Sequence, residues 1–323
     1  MSADPLPEDL DADPLSIVLE HLDFACRTAE VALLAAPIDR DLACGEARLH
    51  FVIEGGIACS LDADRSTGEP PESRWLEAGE GIVITGPARY RLRPLPGSKA
   101  GSRDSHVNGN VPDACVLLDG EMAYSAMEVP PASRFFPKAW SGSLPMGKGG
   151  TLPEDRCREL LQELRRRSAS PHDGASTLLA QYIAIELGRA HLSGAADGPI
   201  TPLVAVLRDP QLAALVGLLI RTLAHRWDVE DLARRLECGR RTFAGRVREV
   251  SGFSPFELLT VLRMQRVSRH LAAPGISLKQ LPALVGYRSL SALGVAFHKV
   301  GRLTLAESRA RAPGFDADLC RDG

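Results

Sequence analysis

The sequence predicts an α+β protein: a front section of short antiparallel strands, a helical connector, and an all-α C-terminal section built from two helix-turn-helix units. Three observations carry that prediction. Short apolar runs punctuated by Gly, Pro, Asp and Ser fill the first part of the chain. After the Gly- and Pro-rich segment 141–153 the apolar spacing changes to three and four. Finally, one helical stretch recurs roughly fifty residues further on.

The front section opens at Asp13-Pro14-Leu15-Ser16, which starts a short helical pattern through Ile17, Val18, Leu19 and Leu22. Strands are expected at 31–34, 47–53, 57–61, 74–76, 82–85 and 90–92, close enough together to form a small antiparallel barrel. Residues 97–113, rich in Gly, Ser, Asn and Asp, read as an excursion before strands resume at 114–118 and 123–129. The helical period then shows in Cys157, Leu160, Leu161 and Leu164, and again in Leu178, Leu179, Tyr182, Ile183, Ile185 and Leu187. Residues 193–202 have linker composition, and a helix over 212–223 leads into the repeat.

In the first unit, Asp228 is placed to cap a helix whose Val229, Leu232, Ala233 and Leu236 share one face. A turn at Glu237-Cys238-Gly239 precedes a second helix from Arg240 to about Val250. Its Phe243, Val247 and Val250 face inward, while Arg240, Arg241, Arg246 and Arg248 point elsewhere. Gly252 suits the left-handed residue past a helix end, and Ser254-Pro255-Phe256-Glu257 has the spacing of a capping box. The long helix that follows carries Arg263, Arg266 and Arg269 and ends at Ala273-Pro274-Gly275. The second copy then sets Ser277 against Asp228, Leu278 against Val229, Leu281 against Leu232 and Val285 against Leu236. After one extra residue, Leu293 and Phe297 match Phe243 and Val247.

Residues from about 207 to 311 resemble the DNA-binding domain of AraC-type transcriptional regulators. The resemblance rests on Asp228-Val229-Glu230-Asp231-Leu232-Ala233, Arg241-Thr242-Phe243, Gly252-Phe253-Ser254-Pro255, Arg263-Met264 and Val285-Gly286-Tyr287 before Ser289. It covers about a third of the chain. The stretch Trp75-Leu76-Glu77-Ala78-Gly79-Glu80-Gly81-Ile82-Val83-Ile84 is more loosely similar to cupin domains, a common sensor in front of this type of reader. The expected partition is therefore a cupin-like sensor or dimerisation domain over 1–140, a connector over 141–202, the DNA-binding domain over 203–312 and a tail over 313–323.

Charge agrees with that division. Residues 1–200 carry 19 Lys and Arg against 30 Asp and Glu, whereas 201–323 carry 19 against 11, so the basic half holds the repeat. The 323-residue chain, 45% hydrophobic and 24% charged, has ordinary soluble composition. Seven cysteines without a C-x-x-C pair fit free thiols in a reducing cytosol. Residues 1–13 lack the basic and apolar regions of a signal peptide, and the run 212–220, stopped by Arg221, is too short to cross a bilayer. A cytoplasmic protein with no membrane partner is expected.

The resemblance puts Arg241, Ala244 and Gly245 toward base edges and Arg240 and Arg248 toward phosphates, with Thr242 in the same motif. Arginine suits guanine because its fork donates to O6 and N7 together. The second reading helix departs from the family: Val295 stands where a basic residue is common, Gly301-Arg302 replaces an aromatic-glycine pair, and Thr304-Leu305 replaces Ser-Pro. Pro282, just beyond a first turn, is expected to disrupt the preceding helix. This unit is expected to pack and to touch phosphate through Arg288, His298, Lys299 and Arg302, with Ser289 and Ser291 at the DNA face.

No catalytic set and no nucleotide loop is legible. His50 and Glu54 supply two of the ligands a cupin metal site uses, but Arg48 replaces the first His and no late His follows, so no metal and no cofactor is expected. Trp75, Tyr90, Arg89 and Arg91, with His50 inside the barrel, fit either an effector pocket or plain core and rim packing. The apolar helix at 178–192 fits a homodimer or internal packing. The expected function is sequence-specific regulation of transcription on double-stranded DNA, modulated by a small effector, with RNA polymerase as a partner if it activates. A cupin-type metal enzyme, and an interaction protein with degraded DNA specificity, are the alternatives.

Overall fold

A computed structural model describes residues 13–62, 71–97, 99–100, 111–125, 137–144, 159, 174–194, 201–272 and 276–311. The chain divides into two compact units, one of 25–124 and 138–199, the other of 1–24, 125–137 and 200–323.

The first unit is antiparallel β. Its strands are β1 (Ala25–Leu34), β2 (Ile38–Leu42), β3 (Glu46–Glu54), β4 (Gly56–Leu61), β5 (Glu72–Glu77), β6 (Glu80–Thr85), β7 (Ala88–Pro94), β8 (Lys99–Ala100), β9 (Val111–Pro112), β10 (Cys115–Ala123) and β11 (Ala139–Ser143). One sheet has the order β1-β10-β3-β6-β11 and the other β2-β7-β4-β5, with β8 and β9 paired separately. Val52, Ile57, Leu61, Ile82, Tyr90 and Leu117 fill the shared core. Strand alternation explains why: in β7, Tyr90 and Leu92 are buried while Arg89 and Arg91 are exposed. The Trp75 to Ile84 stretch is strand-turn-strand as expected, and its turn, with Gly79 at φ 90°, carries the chain from the smaller sheet to the larger.

Four strands were not anticipated: the short β8 and β9 fall in the expected 97–113 excursion, and β2 and β11 lie elsewhere. β2 is mostly exposed and charged, and β11 begins with only Ala139 and Trp140 as apolar residues, so neither has a strong alternating pattern. The two strands expected at 114–118 and 123–129 are replaced by one continuous strand, β10, which ends at residue 123; 126–129 lie outside the described residues. The expected helix over Cys157, Leu160, Leu161 and Leu164 and most of the 97–113 excursion also lie outside them. Helix α2 (Gly174–Leu192) covers the larger sheet with Ala180, Ile183, Ala184 and Leu187. Trp140 Nε1 donates to Ala184 O at 3.2 Å, and a Cβ at Gly81 would sit 2.8 Å from Leu187, so backbone and helix meet closely there.

The second unit is helical: α1 (Pro14–His21), α3 (Pro202–Arg208), α4 (Pro210–Arg221), α5 (Val229–Arg235), α6 (Arg240–Ser251), α7 (Pro255–Ala272), α8 (Leu281–Leu284), α9 (Leu290–Gly301) and α10 (Leu305–Arg311). Asp13 caps α1 and Asp209 caps α4, each by accepting two backbone N–H groups. α7 is about 27 Å long at 1.5 Å per residue, and its buried Leu258, Leu262, Met264, Val267 and Leu271 form the spine of the unit.

The N-terminal helix α1 belongs to this unit although more than two hundred residues separate it from α7. His21, 1% exposed, lies 3.0 Å from Leu262 O through Nε2, while Arg266 Nε donates to its Nδ1 at 3.2 Å. Those contacts require a neutral ring with its proton on Nε2. Arg269 adds a bond to Glu20 O at 2.9 Å and an ion pair with Asp23 at 2.9 Å. Burial, then the Arg266 charge, lowers the His21 pKa to about 3.

Pro282 does not break a formed helix. The chain turns through 278–280 first, and α8 starts late with Pro282 in its first turn, where a missing N–H costs nothing. The result is a four-residue helix, closed by Tyr287 N donating to Pro282 O at 2.9 Å.

Candidate nucleic-acid interface

The interface is built from α5–α6 and α8–α9, joined by α7. Asp228 caps α5 by accepting from Asp231 N at 2.7 Å, and Glu237 takes φ 51° in the turn. α6 then buries Phe243 and Val247 completely. Opposite them Arg240, Arg241, Thr242, Gly245 and Arg248 are exposed, and Ala244 is half-buried. Among the described residues Arg240, Arg241 and Arg248 form no ion pair. Arg246 differs: it is held by Asp209 at 2.7 Å and by Gln211, so it braces α6 against the start of α4.

The ends of α6 fit their neighbours. Gly252 closes it at φ 73°, its N–H donating to Arg248 O at 2.9 Å. Ser254 and Glu257 form the reciprocal capping box of α7, with Ser254 N donating to Glu257 Oε2 at 2.8 Å and Glu257 N to Ser254 Oγ at 3.3 Å. The backbone N–H of Ser254 holds the Glu257 carboxyl below its ordinary range, helped by its hydroxyl and by the charges of Arg248 and Lys299. One carboxylate therefore senses a cation from each unit.

α9 repeats this plan with other chemistry. Ser289 Oγ caps it by accepting from Ala292 N at 3.1 Å, and Leu293 and Phe297 are its buried residues in place of Phe243 and Val247. Arg302 occupies the left-handed position of Gly252, at φ 52°. Thr304 and Glu307 rebuild the capping box, Thr304 N donating at 2.7 Å and Glu307 N at 3.1 Å. Arg288, Ser289, Ser291, His298, Lys299 and Arg302 are all exposed.

Sequence reasoning missed what joins the units. Arg263 lies half-buried on α7, donating from Nε to Leu223 O at 2.9 Å and from Nη2 to His225 O at 2.8 Å, with its guanidinium 5.6 Å from the Tyr287 ring. Gly286 must be glycine, since at φ 73° an added Cβ would stand 2.6 Å from Ala224 O. The Arg263-Met264 and Val285-Gly286-Tyr287 motifs are thus one spatial contact, and Arg266 and Arg269 serve α1.

The β unit brings together only part of the expected effector set. His50 Nε2 lies 2.9 Å from Tyr90 Oη, both inside the core. Nδ1 lies 3.4 Å from Asp119 without a well-aligned hydrogen bond, and Asp119 pairs with Arg48 at 3.0 Å. Burial lowers the His50 pKa, against the pull of Asp119. Trp75 is 72% exposed on β5, and Arg89 and Arg91 pair with Asp41 and Asp39 on the outer surface. Among the described residues no three His, Cys, Asp or Glu side chains cluster as metal ligands. Cys59 and Cys115 are buried free thiols whose pKa burial pushes up to about 12. No single described helix is long and apolar enough to cross a membrane.

Two helix-turn-helix units share a common spine, and the first turns guanidinium groups without an ion pair outward. Residues 232–311 match the family described as helix-turn-helix domain, and this part of the chain is similar to AraC-like regulators. An AraC-like transcription regulator of Streptomyces antibioticus is 38% identical over 130 residues, 39% of this chain and 43% of that protein. The RCS-specific activator RclR of Escherichia coli is 29% identical over 155 residues, 48% of this chain and 55% of that one. The chain thus spans about half the length of the curated relatives it matches. A solved structure of ToxT from Vibrio cholerae aligns over 88% of this chain and 98% of that one, with 10% identity and a TM-score of 0.38.

Proposed function

We propose that the whole protein is a cytoplasmic, sequence-specific regulator of transcription that binds double-stranded DNA and is not an enzyme. The carrying observation is the row of exposed, unpaired Arg240, Arg241 and Arg248 on a helix whose other side is locked into the core. Arg241, with Thr242, Ala244 and Gly245, reads base edges; Arg240 and Arg248 neutralise phosphates. In the second unit Arg288, Ser289, Ser291, His298, Lys299 and Arg302 meet the neighbouring stretch of groove, one turn of duplex or about 34 Å away.

The partition 1–140, 141–202, 203–312 and 313–323 serves as the functional division. A small effector acts on the β unit, with His50 and Tyr90 as its polar element in the core, and biases DNA binding only as far as it binds two states differently. The exposed part of α2, including Leu178 at 74%, offers a face for a second copy. RNA polymerase is the further partner if the outcome is activation.

The test is a mobility shift against genomic fragments over a range of salt. Preferred fragments, with affinity falling steeply as salt rises, support the proposal. Equal retention of all fragments, or none in dilute buffer with candidate effectors added, rejects it.

A further inference from the structure

The outward face of α9 is not a weaker copy of α6. Over its first two turns it presents Leu290, Ser291, Ala292, Gly294 and Val295, with Val295 70% exposed and open space beside Gly294. The repeat sets Ser291 in the place of Arg241 and Val295 in that of Gly245. No cation stands in this strip, and Ser291 is its only side chain able to form a hydrogen bond. A groove of about 520 Å³, lined by Leu278, Leu290, Gly294, Leu305 and Ala306 together with Ser291 and Thr304, runs along one side. Cations bound the strip at both ends: Arg288 before it, Lys299 and Arg302 after it, with the exposed His298 beside Lys299.

An apolar strip between cationic margins fits a surface with two anionic rails and apolar groups between them. The major groove of duplex DNA has that layout, since phosphates line its edges and the thymine C5-methyl is the apolar group on a base edge. An apolar peptide would fill the strip but leave the exposed charges of Arg288 and Arg302 uncompensated. Continuity with the α6 face, fixed by the shared α7 spine, points the same way.

We propose that α9 reads thymine by apolar contact, Val295 and its neighbours covering C5-methyl groups in the major groove, and that it accepts 5-methylcytosine on the same ground. This rests on the DNA-binding reading above and adds to it a base class and the side chains that select it. The two units then read by different physics: guanidinium to guanine in one, methyl to methyl in the other.

The full chain is used to select duplexes from a random pool, and footprinting assigns the part of each that the second unit covers. Thymines there are then replaced singly by deoxyuridine. Each contacted methyl removed lowers affinity about fourfold, while the same change under the first unit leaves affinity unchanged. Replacing a contacted thymine by cytosine weakens binding, and 5-methylcytosine at that position recovers the methyl contribution. Val295→Ala, at an exposed position, removes most of the thymine-uracil difference, lowering affinity for the thymine duplex more than for the uracil duplex; Leu290→Ala reports the strip's edge. Equal binding of thymine and uracil duplexes, or equal loss on both in Val295→Ala, overturns the thymine reading and leaves the regulator standing. A pool that yields no preferred duplex overturns both.

Discussion

Helices α6 and α9 share one scaffold and present different surfaces. Each buries an apolar pair four residues apart, each is followed by a left-handed residue, and each leads into a helix with a reciprocal capping box. Outside that frame, α6 carries Arg240, Arg241 and Arg248 where α9 carries Leu290, Ser291 and His298. The capping and packing that hold a reading helix in place are thus separable from the groups that read, so one can be altered while the other is kept.

The largest effect should come from the two glycines at the turns. Gly252 and Gly286 both have φ 73°, but a Cβ at Gly252 meets nothing within 4 Å, whereas at Gly286 it meets Ala224 O at 2.6 Å and Arg263 Nη2 at 2.9 Å. Gly252→Ala costs only left-handed strain, about 1–2 kcal/mol. Gly286→Ala adds a backbone clash and disturbs the Arg263 bridge, for a loss of about 3 kcal/mol or more. Urea unfolding midpoints of the two variants, compared at constant slope, decide it. Equal losses would mean that the second turn is not pinned to the end of α4.

Acid should act next, through the brace that α1 places on α7. The folded pKa of His21, about 3, lies below its ordinary value near 6.5, so the unfolded chain binds the extra proton between those limits. Stability from this group is complete above pH 6.5 and is lost as pH falls toward 3, with a slope approaching about 1.4 kcal/mol per unit. Arg266, Arg269 and His270 face the ring, and each of these charges lowers its pKa. His21→Gln should flatten the pH dependence of the helical unit's unfolding between pH 5 and 6.5. An unchanged slope would remove His21 as its source.

How much of this was legible depended on range along the chain. Asp228, Gly252, Ser254 and Glu257 act within a few residues of themselves, so α5, α6 and the start of α7 could be read directly, and the repeat carried that reading to α9. The docking of α1 could not be read, because His21 meets a carbonyl 241 residues away and the arginines that hold it look like DNA-facing charges in sequence. The effector set shows a different fault, since its signal was present. Adjacent residues on a strand point to opposite faces, so Arg89 and Tyr90 in β7, like Trp75 and its buried neighbour Leu76 in β5, could not share one pocket wall.

Base discrimination gives the third contrast. Arg241→Ala should cost about 1–3 kcal/mol of preference between the selected duplex and one altered under the first unit, because a guanidinium fork loses two hydrogen bonds to guanine. Ser291→Ala, which removes one exposed hydroxyl, should change preference far less. Competition binding at fixed salt measures both, and equal losses would show that the two helices read alike.

The smallest effect separates scaffold from surface within one residue. Arg302 holds the left-handed position at φ 52°, where a side chain is strained and glycine is not, and its exposed guanidinium also lies at the end of the α9 face. Arg302→Gly should therefore raise stability by up to about 1 kcal/mol, part of the relieved strain being offset by the greater freedom of glycine in the unfolded chain. The same change should weaken DNA binding uniformly across sequences and reduce the salt slope by about one unit, the signature of a lost phosphate contact. Stability and salt dependence thus move in opposite senses. If instead the variant lost discrimination between duplexes, Arg302 would be touching bases, and the division between an apolar reading strip and its cationic margins would have to be redrawn at this residue.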